Sequence, residues 1–140
     1  MSERVLPGVV RPAARVRTVV RTVAVWAVRV ALAVQFGVGG AGKLAGSDQM
    51  VRMFDDIGAG HWLRVLVGVL EVAGAVGLLV PRLAGVAAAG LVGLMIGAVV
   101  TNVAILGSSP IAPLAFGVLA AVVASARRHE LVVLGRSVRR

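Results

Sequence analysis

Residues 83–106, LAGVAAAGLVGLMIGAVVTNVAIL, contain no charged side chain. As an α-helix this run reaches about 36 Å, enough to cross about 30 Å of hydrocarbon. A segment that is apolar on every side must be wrapped by protein or set in lipid. This chain has little to wrap it with. Of its 140 residues 59% are hydrophobic and 15% charged, whereas soluble domains carry about 25% charge. Lipid is the expected solvent.

Three further apolar runs lie at 22–42, 63–80 and 111–126. Pro81-Arg82 separates the second run from the third, and GSSP at 107–110 separates the third from the fourth. Pro110 and Pro113 fall near the start of the fourth run, where proline is tolerated. The expected fold is all-α, a four-transmembrane-helix bundle with spans at about 22–42, 63–80, 83–106 and 111–126. A basic leader (1–21) precedes it and a basic tail (127–140) follows it. Read as a signal peptide, the first run is too long, because such apolar regions run about 7–15 residues without an internal charge. Here Arg29 lies inside it.

Between the first two spans, 43–62 is the most polar internal stretch. Within it Met50, Met53, Phe54 and Ile57 repeat at the spacing of one helical face, with Asp48, Gln49, Arg52, Asp55 and Asp56 mainly elsewhere. Ser47 can cap its start and Gly58 its end. This pattern predicts a short amphipathic helix at the membrane surface, with a lid over an outward-opening pocket as the alternative to plain packing.

The net charge is +9, from 15 Lys and Arg against six acids. Its placement decides its meaning. The leader, the 81–82 turn and the tail carry five, one and five Arg, and an even number of spans puts them on one side. Lys43, Arg52 and Arg64 fall on the other, with three Asp. The positive-inside rule then places both termini in the cytoplasm of a bacterial-type cell membrane. The charge is accounted for by lipid headgroups, and no nucleic-acid partner is expected. Trp26 and Trp62 fall near opposite interfaces, where Trp is enriched.

The stretch GVGGAGKL (37–44) carries the letters of two phosphate-binding motifs. Both motifs need a strand before them and a helix after them, and here a helix-length apolar run precedes the glycines. Leu44 also stands where a P-loop needs Ser or Thr for magnesium. No nucleotide site is expected. Small residues instead let membrane helices approach closely, so Gly37, Gly40, Gly68, Gly74, Gly93 and Gly97 are expected at helix contacts.

Charged and strongly polar side chains are costly inside a bilayer and usually face a partner or a cavity. Arg29, Gln35, Glu71 and Asn102 lie within the spans, and Lys43 at the outer end of the first can reach inward. Axial position puts Gln35 level with Glu71, Lys43 and Asn102 nearer the outer surface, and Arg29 below. Lys43 and Glu71 are the expected polar centre, as an ion pair or a ligand clamp. Gln35, Asn102 and Arg29 would support them. Two readings stay open for Arg29, which can also snorkel to headgroups, and for Glu71, which can lock helices or handle a ligand. His61 is assigned to the surface. With no Cys, no Tyr and two His, no metal site is expected.

GKLAG, then MVRMFDDIGAGHW, then VGVLEVAGAVGLLVPR resemble, in order and spacing, the DoxX and DoxX-like membrane proteins. The resemblance covers roughly 24–126. Its motifs fall on Gly42-Lys43-Leu44, on Phe54 with Gly58, and on Glu71 through Pro81. The family typically has a His near the end of the third span, where this chain has Asn102. The resemblance implies a four-helix integral membrane protein. It also implies a link to membrane-associated redox systems, since relatives are tied to a thiosulfate:quinone oxidoreductase. The expected role is an accessory subunit, not an enzyme on its own, with quinone as the candidate ligand. Membrane or peripheral protein partners and a homo-oligomer are compatible with that role. A small-molecule or lipid transporter and a non-catalytic scaffold are the alternatives.

Overall fold

The computed structural model describes residues 12–129, 132 and 136. Among them the chain forms five α-helices and no strand: α1 Pro12–Ala45, α2 Asp48–Asp56, α3 Gly60–Leu79, α4 Ala84–Ala104 and α5 Ile111–Ala126. By length and composition α1, α3 and α4 can cross a membrane, whereas α5, with 16 residues, is shorter.

The helix ends follow from local chemistry. Gly46 adopts φ +70° and ends α1, and Gly58 at φ +79° follows α2. Both use the left-handed conformation that favours glycine at a helix C-terminus. Ser47 stands at the N-cap of α2, but its side chain makes no capping bond. Pro81 pushes Val80 into extended backbone (φ −85°, ψ 118°), which stops α3. Pro113 sits in the first turn of α5, where the missing N–H costs nothing.

One boundary differs from expectation. The leader expected at 1–21 is helical from Pro12 onward, so α1 has 34 residues and runs about 51 Å. Arg15, Arg17 and Arg21 raise polarity without breaking a helix, and Pro12 is suited to the first helical position. Residues 1–11 and most of the tail lie outside the described residues.

α1 packs along α3, α3 on α4, α4 on α5, and α5 back on α1, with α2 beside α3 and α1. The core between them includes Leu32, Phe36, Leu78, Leu91, Met95 and Val123. Phe36 and Phe116 meet edge-on, with ring centroids 6.1 Å apart. The outside is as informative. Val34, Val38, Val69, Ile96, Val100, Val118 and Val122 are exposed, while Arg29, Arg64 and Glu71 are buried. That inverts the arrangement of a water-soluble domain and suits lipid.

Glycine sets the closest approaches. A Cβ on Gly40 would stand 2.8 Å from the Gly68 carbonyl oxygen, and one on Gly77 would stand 2.7 Å from the Ala87 Cβ. Gly74 is pressed by Leu91, whereas Gly37 makes only ordinary contact with Ala75. Gly93 and Gly97 do not pack a helix as expected. Nothing lies within 4 Å of a Cβ at either position. α4 packs mainly on α3 and α5, and these two glycines face open space.

Gly40→Ala and Gly77→Ala should each lower stability by about 1–3 kcal/mol, the usual cost of overpacking. Gly90→Ala, with open space around it, should leave it unchanged or raise it by up to about 1 kcal/mol. Thermal unfolding of the detergent-solubilised protein checks this contrast.

Candidate functional site

Lys43 ends α1 and Glu71 lies in the middle of α3. The Lys43 Nζ donates to both Glu71 carboxylate oxygens, at 3.0 Å (Oε1) and 2.8 Å (Oε2). The pair is almost enclosed, with side-chain exposures of 12% for Lys43 and 7% for Glu71. Gly39 leaves the room they occupy, since a Cβ there would stand 3.4 Å from Glu71 Oε2. Gly39 is one turn from Lys43, so the two share a helical face.

The backbone of Lys43 is held as well. Arg64 Nη1 donates to the Lys43 carbonyl oxygen. The carbonyls of a last helical turn lack intrahelical donors; this one accepts from the Gly46 N–H at 3.3 Å, and Arg64 supplies a second donor. Arg64 and Glu71 are two turns apart on α3 and face the same way. α3 therefore grips Lys43 twice, by its carbonyl and by its ammonium. Arg64 Nη2 also reaches His61 Nδ1 at 2.8 Å, and because a guanidinium only donates, that ring nitrogen accepts. His61 is exposed, as expected, and also supports Arg64.

Arg29 does not join Glu71. Its Nε donates to the Leu78 carbonyl oxygen at 2.7 Å, and its guanidinium stacks on Trp26, 4.0 Å from the ring centroid. Leu78 lies two turns beyond Glu71, about 10 Å along α3. Arg29 is fully buried, so it does not snorkel to headgroups either. It does for the end of α3 what Arg64 does for the end of α1. Each arginine meets a carbonyl in the last turn of the other helix, where the helix dipole is negative.

A cavity of about 440 Å³ opens beside the ion pair, and all five helices line it. Gln35, Gly39 and Lys43 contribute from α1, and Leu63, Val67 and Glu71 from α3, each set at one-turn spacing. Met53 and Phe54 of α2 and Ile57 just after it also line the cavity, so the apolar stripe of α2 covers a cavity. Gly93 and Gly97 widen it from α4, and Phe116 bounds it from α5. Asn102 lines it while holding the α4–α5 loop. Its Nδ2 donates to the Ser109 carbonyl at 3.0 Å, and its own carbonyl accepts from Ser108 N–H at 2.8 Å. The cavity thus gathers Lys43, Glu71, Gln35 and Asn102, and leaves out Arg29. Its size is that of an ordinary small-molecule pocket, mostly apolar with a few fixed polar groups.

The glycines of GVGGAGKL all lie inside α1, with none in the left-handed conformation. Among the described residues, no group of three or more His, Cys, Asp and Glu is placed to hold a metal.

Three apolar helices of spanning length, with charged groups turned inward, define a small all-α membrane protein. The model of the DoxX-like family matches residues 27–126, and the chain belongs to that family. No curated protein and no solved structure matches the chain. The matched segment includes α1 from Ala27 and all of α2 through α5.

Replacing one partner of a buried ion pair strands the other charge, which costs about 3–5 kcal/mol. Lys43→Met and Glu71→Gln should each destabilise the protein on that scale. The double variant should lose less than their sum, by at least about 1 kcal/mol. A double-mutant cycle on unfolding in detergent measures this coupling, and additive losses would show that the two side chains do not interact.

Proposed function

We propose that the protein crosses a bacterial-type cytoplasmic membrane four times, with both termini in the cytoplasm. In this reading it holds a lipid-soluble ligand of the quinone class beside Lys43 and Glu71, as an accessory of a membrane-associated redox system. α5 is the fourth span. It reaches only about 24 Å, a shortfall that local bilayer thinning and flanking arginines accommodate. It also closes the packing cycle between α4 and α1. The orientation rests on the sequence count of arginines, five in the leader, one in the 81–82 turn and five in the tail, which four spans put on one side.

The observation that carries the ligand reading is the cavity itself. It lies between lipid-facing helices, its wall is largely apolar, and its polar groups converge from three helices. An ammonium and two amides can donate to the carbonyl oxygens of a quinone head, while the apolar wall takes its ring and tail. Without Cys or Tyr, the chain has neither a thiol nor a phenol for electron transfer. The redox link itself comes from the family resemblance.

Purification in mild detergent followed by mass spectrometry of extracted small molecules tests this reading. A quinone should co-purify with the wild type. Glu71→Gln frees the Lys43 ammonium from the position in which it donates to the quinone carbonyl, and loss of that charged donor should reduce retention about tenfold or more. Gly97→Leu, which fills open space and leaves the ion pair intact, should reduce retention with little loss of stability. If no ligand is found in the wild type and Glu71→Gln is only less stable, the pair serves as a structural lock and the protein as a scaffold.

A further inference from the structure

A second concavity, of about 520 Å³, lies at the opposite end of the molecule from Lys43, between α1 and the end of α5. Arg21, Arg128, His129 and Ser125 form its polar border, and Ala24, Val25, Val122 and Ala126 its floor. We propose that this groove is a specific site for the phosphate headgroup of an anionic phospholipid, with an acyl chain laid along the floor.

Three observations point to a lipid phosphate. First, the groove sits at the level where both helices change solvent. Arg21 immediately precedes the apolar run that begins at 22, and Arg128 follows the last apolar turn of α5. That level is where phosphates lie. Second, no acidic side chain among the described residues lines the groove. Among the described residues the acids are Asp48, Asp55, Asp56 and Glu71, on α2 and mid-α3. Arg21 of α1 and Arg128 just past α5 thus bring two cations to one groove, an arrangement that favours an anion. Third, the floor runs into lipid-exposed aliphatic surface, since Val122 and Val118 are both exposed on α5. A free phosphate would leave that floor unused, whereas a phospholipid covers both parts.

Thermal shift of the full-length protein in a neutral detergent tests the site, with phosphatidylglycerol, phosphatidylcholine and inorganic phosphate as separate additions. Phosphatidylglycerol should stabilise saturably, and phosphatidylcholine should not at the same mole fraction. At about 1 kcal/mol per interfacial arginine, Arg128→Gln should weaken the apparent affinity about fivefold, and Arg21→Gln with Arg128→Gln about thirtyfold. Arg15→Gln with Arg17→Gln removes the same charge from the same end of α1 but outside the groove, and should retain most of the effect. Equal stabilisation by phosphatidylcholine would overturn the proposal, as would an equal loss in the Arg15/Arg17 control. Saturable stabilisation by inorganic phosphate that matches the lipid would identify a free-anion site instead. The lipid comparison on the wild type decides the matter even if a variant folds poorly.

Discussion

The last carbonyls of a helix have no partner inside the helix, and in a bilayer they have little water to turn to. In this protein two arginines meet that constraint reciprocally. Arg29 of α1 donates to a carbonyl in the last turn of α3, and Arg64 of α3 donates to one in the last turn of α1. The two helices run past each other in opposite directions, so each brings a cation to the other's negative end. Between these clamps Gly40 and Gly68 bring the backbones together, and a Cβ at Gly40 would collide with the Gly68 carbonyl. Register and separation of α1 and α3 are thereby fixed together.

The ion pair depends on that register. Lys43 has a long flexible stem, and pairing it costs entropy unless its base is held. Arg64 holds the Lys43 backbone two turns from Glu71, so the ammonium meets the carboxylate with much of that cost already met by the fold. The cavity depends on the same geometry from its other side. α1 and α4 lie across from each other, and Gly93 and Gly97 remain unfilled between them. A tight pair of helices on one side and a loose diagonal on the other leave a space with fixed polar groups on one wall.

Much of this is legible in the sequence, and its gaps have physical reasons. The boundaries of α4 and α5 can be read because Pro81-Arg82 and GSSP interrupt apolar runs. The start of α1 cannot, because arginines mark a change of solvent and helices continue across it. The spacing of Gly93 and Gly97 announces a smooth helix face, but spacing alone does not say whether a neighbour fills it. Arg64 is the residue whose role sequence reading misses. At the edge of a span it counts as a topological charge, yet its two-turn offset from Glu71, with His61 one turn before it, is the signal that all three share a face. Arg29 shows the reverse difficulty. A buried charge invites pairing with the nearest acid, but a helix C-terminus is an equally good partner and leaves no mark in the sequence.

The central claim is that α3 presents Glu71 directly to Lys43 within the membrane. Lys43 is the single lysine of the chain, so labelling lysine Nζ with ¹⁵N marks one site. Glutamate Cδ labelling with ¹³C marks Glu71 together with Glu3 and Glu130, which are not among the described residues. Dipolar recoupling between the two labels, in protein reconstituted into bilayers, measures the contact directly. With both oxygens in hydrogen-bond reach, the account predicts a nitrogen–carbon separation under about 4 Å, lost in Glu71→Gln labelled in the same way. No measurable dephasing, or dephasing that persists in that variant, would contradict it.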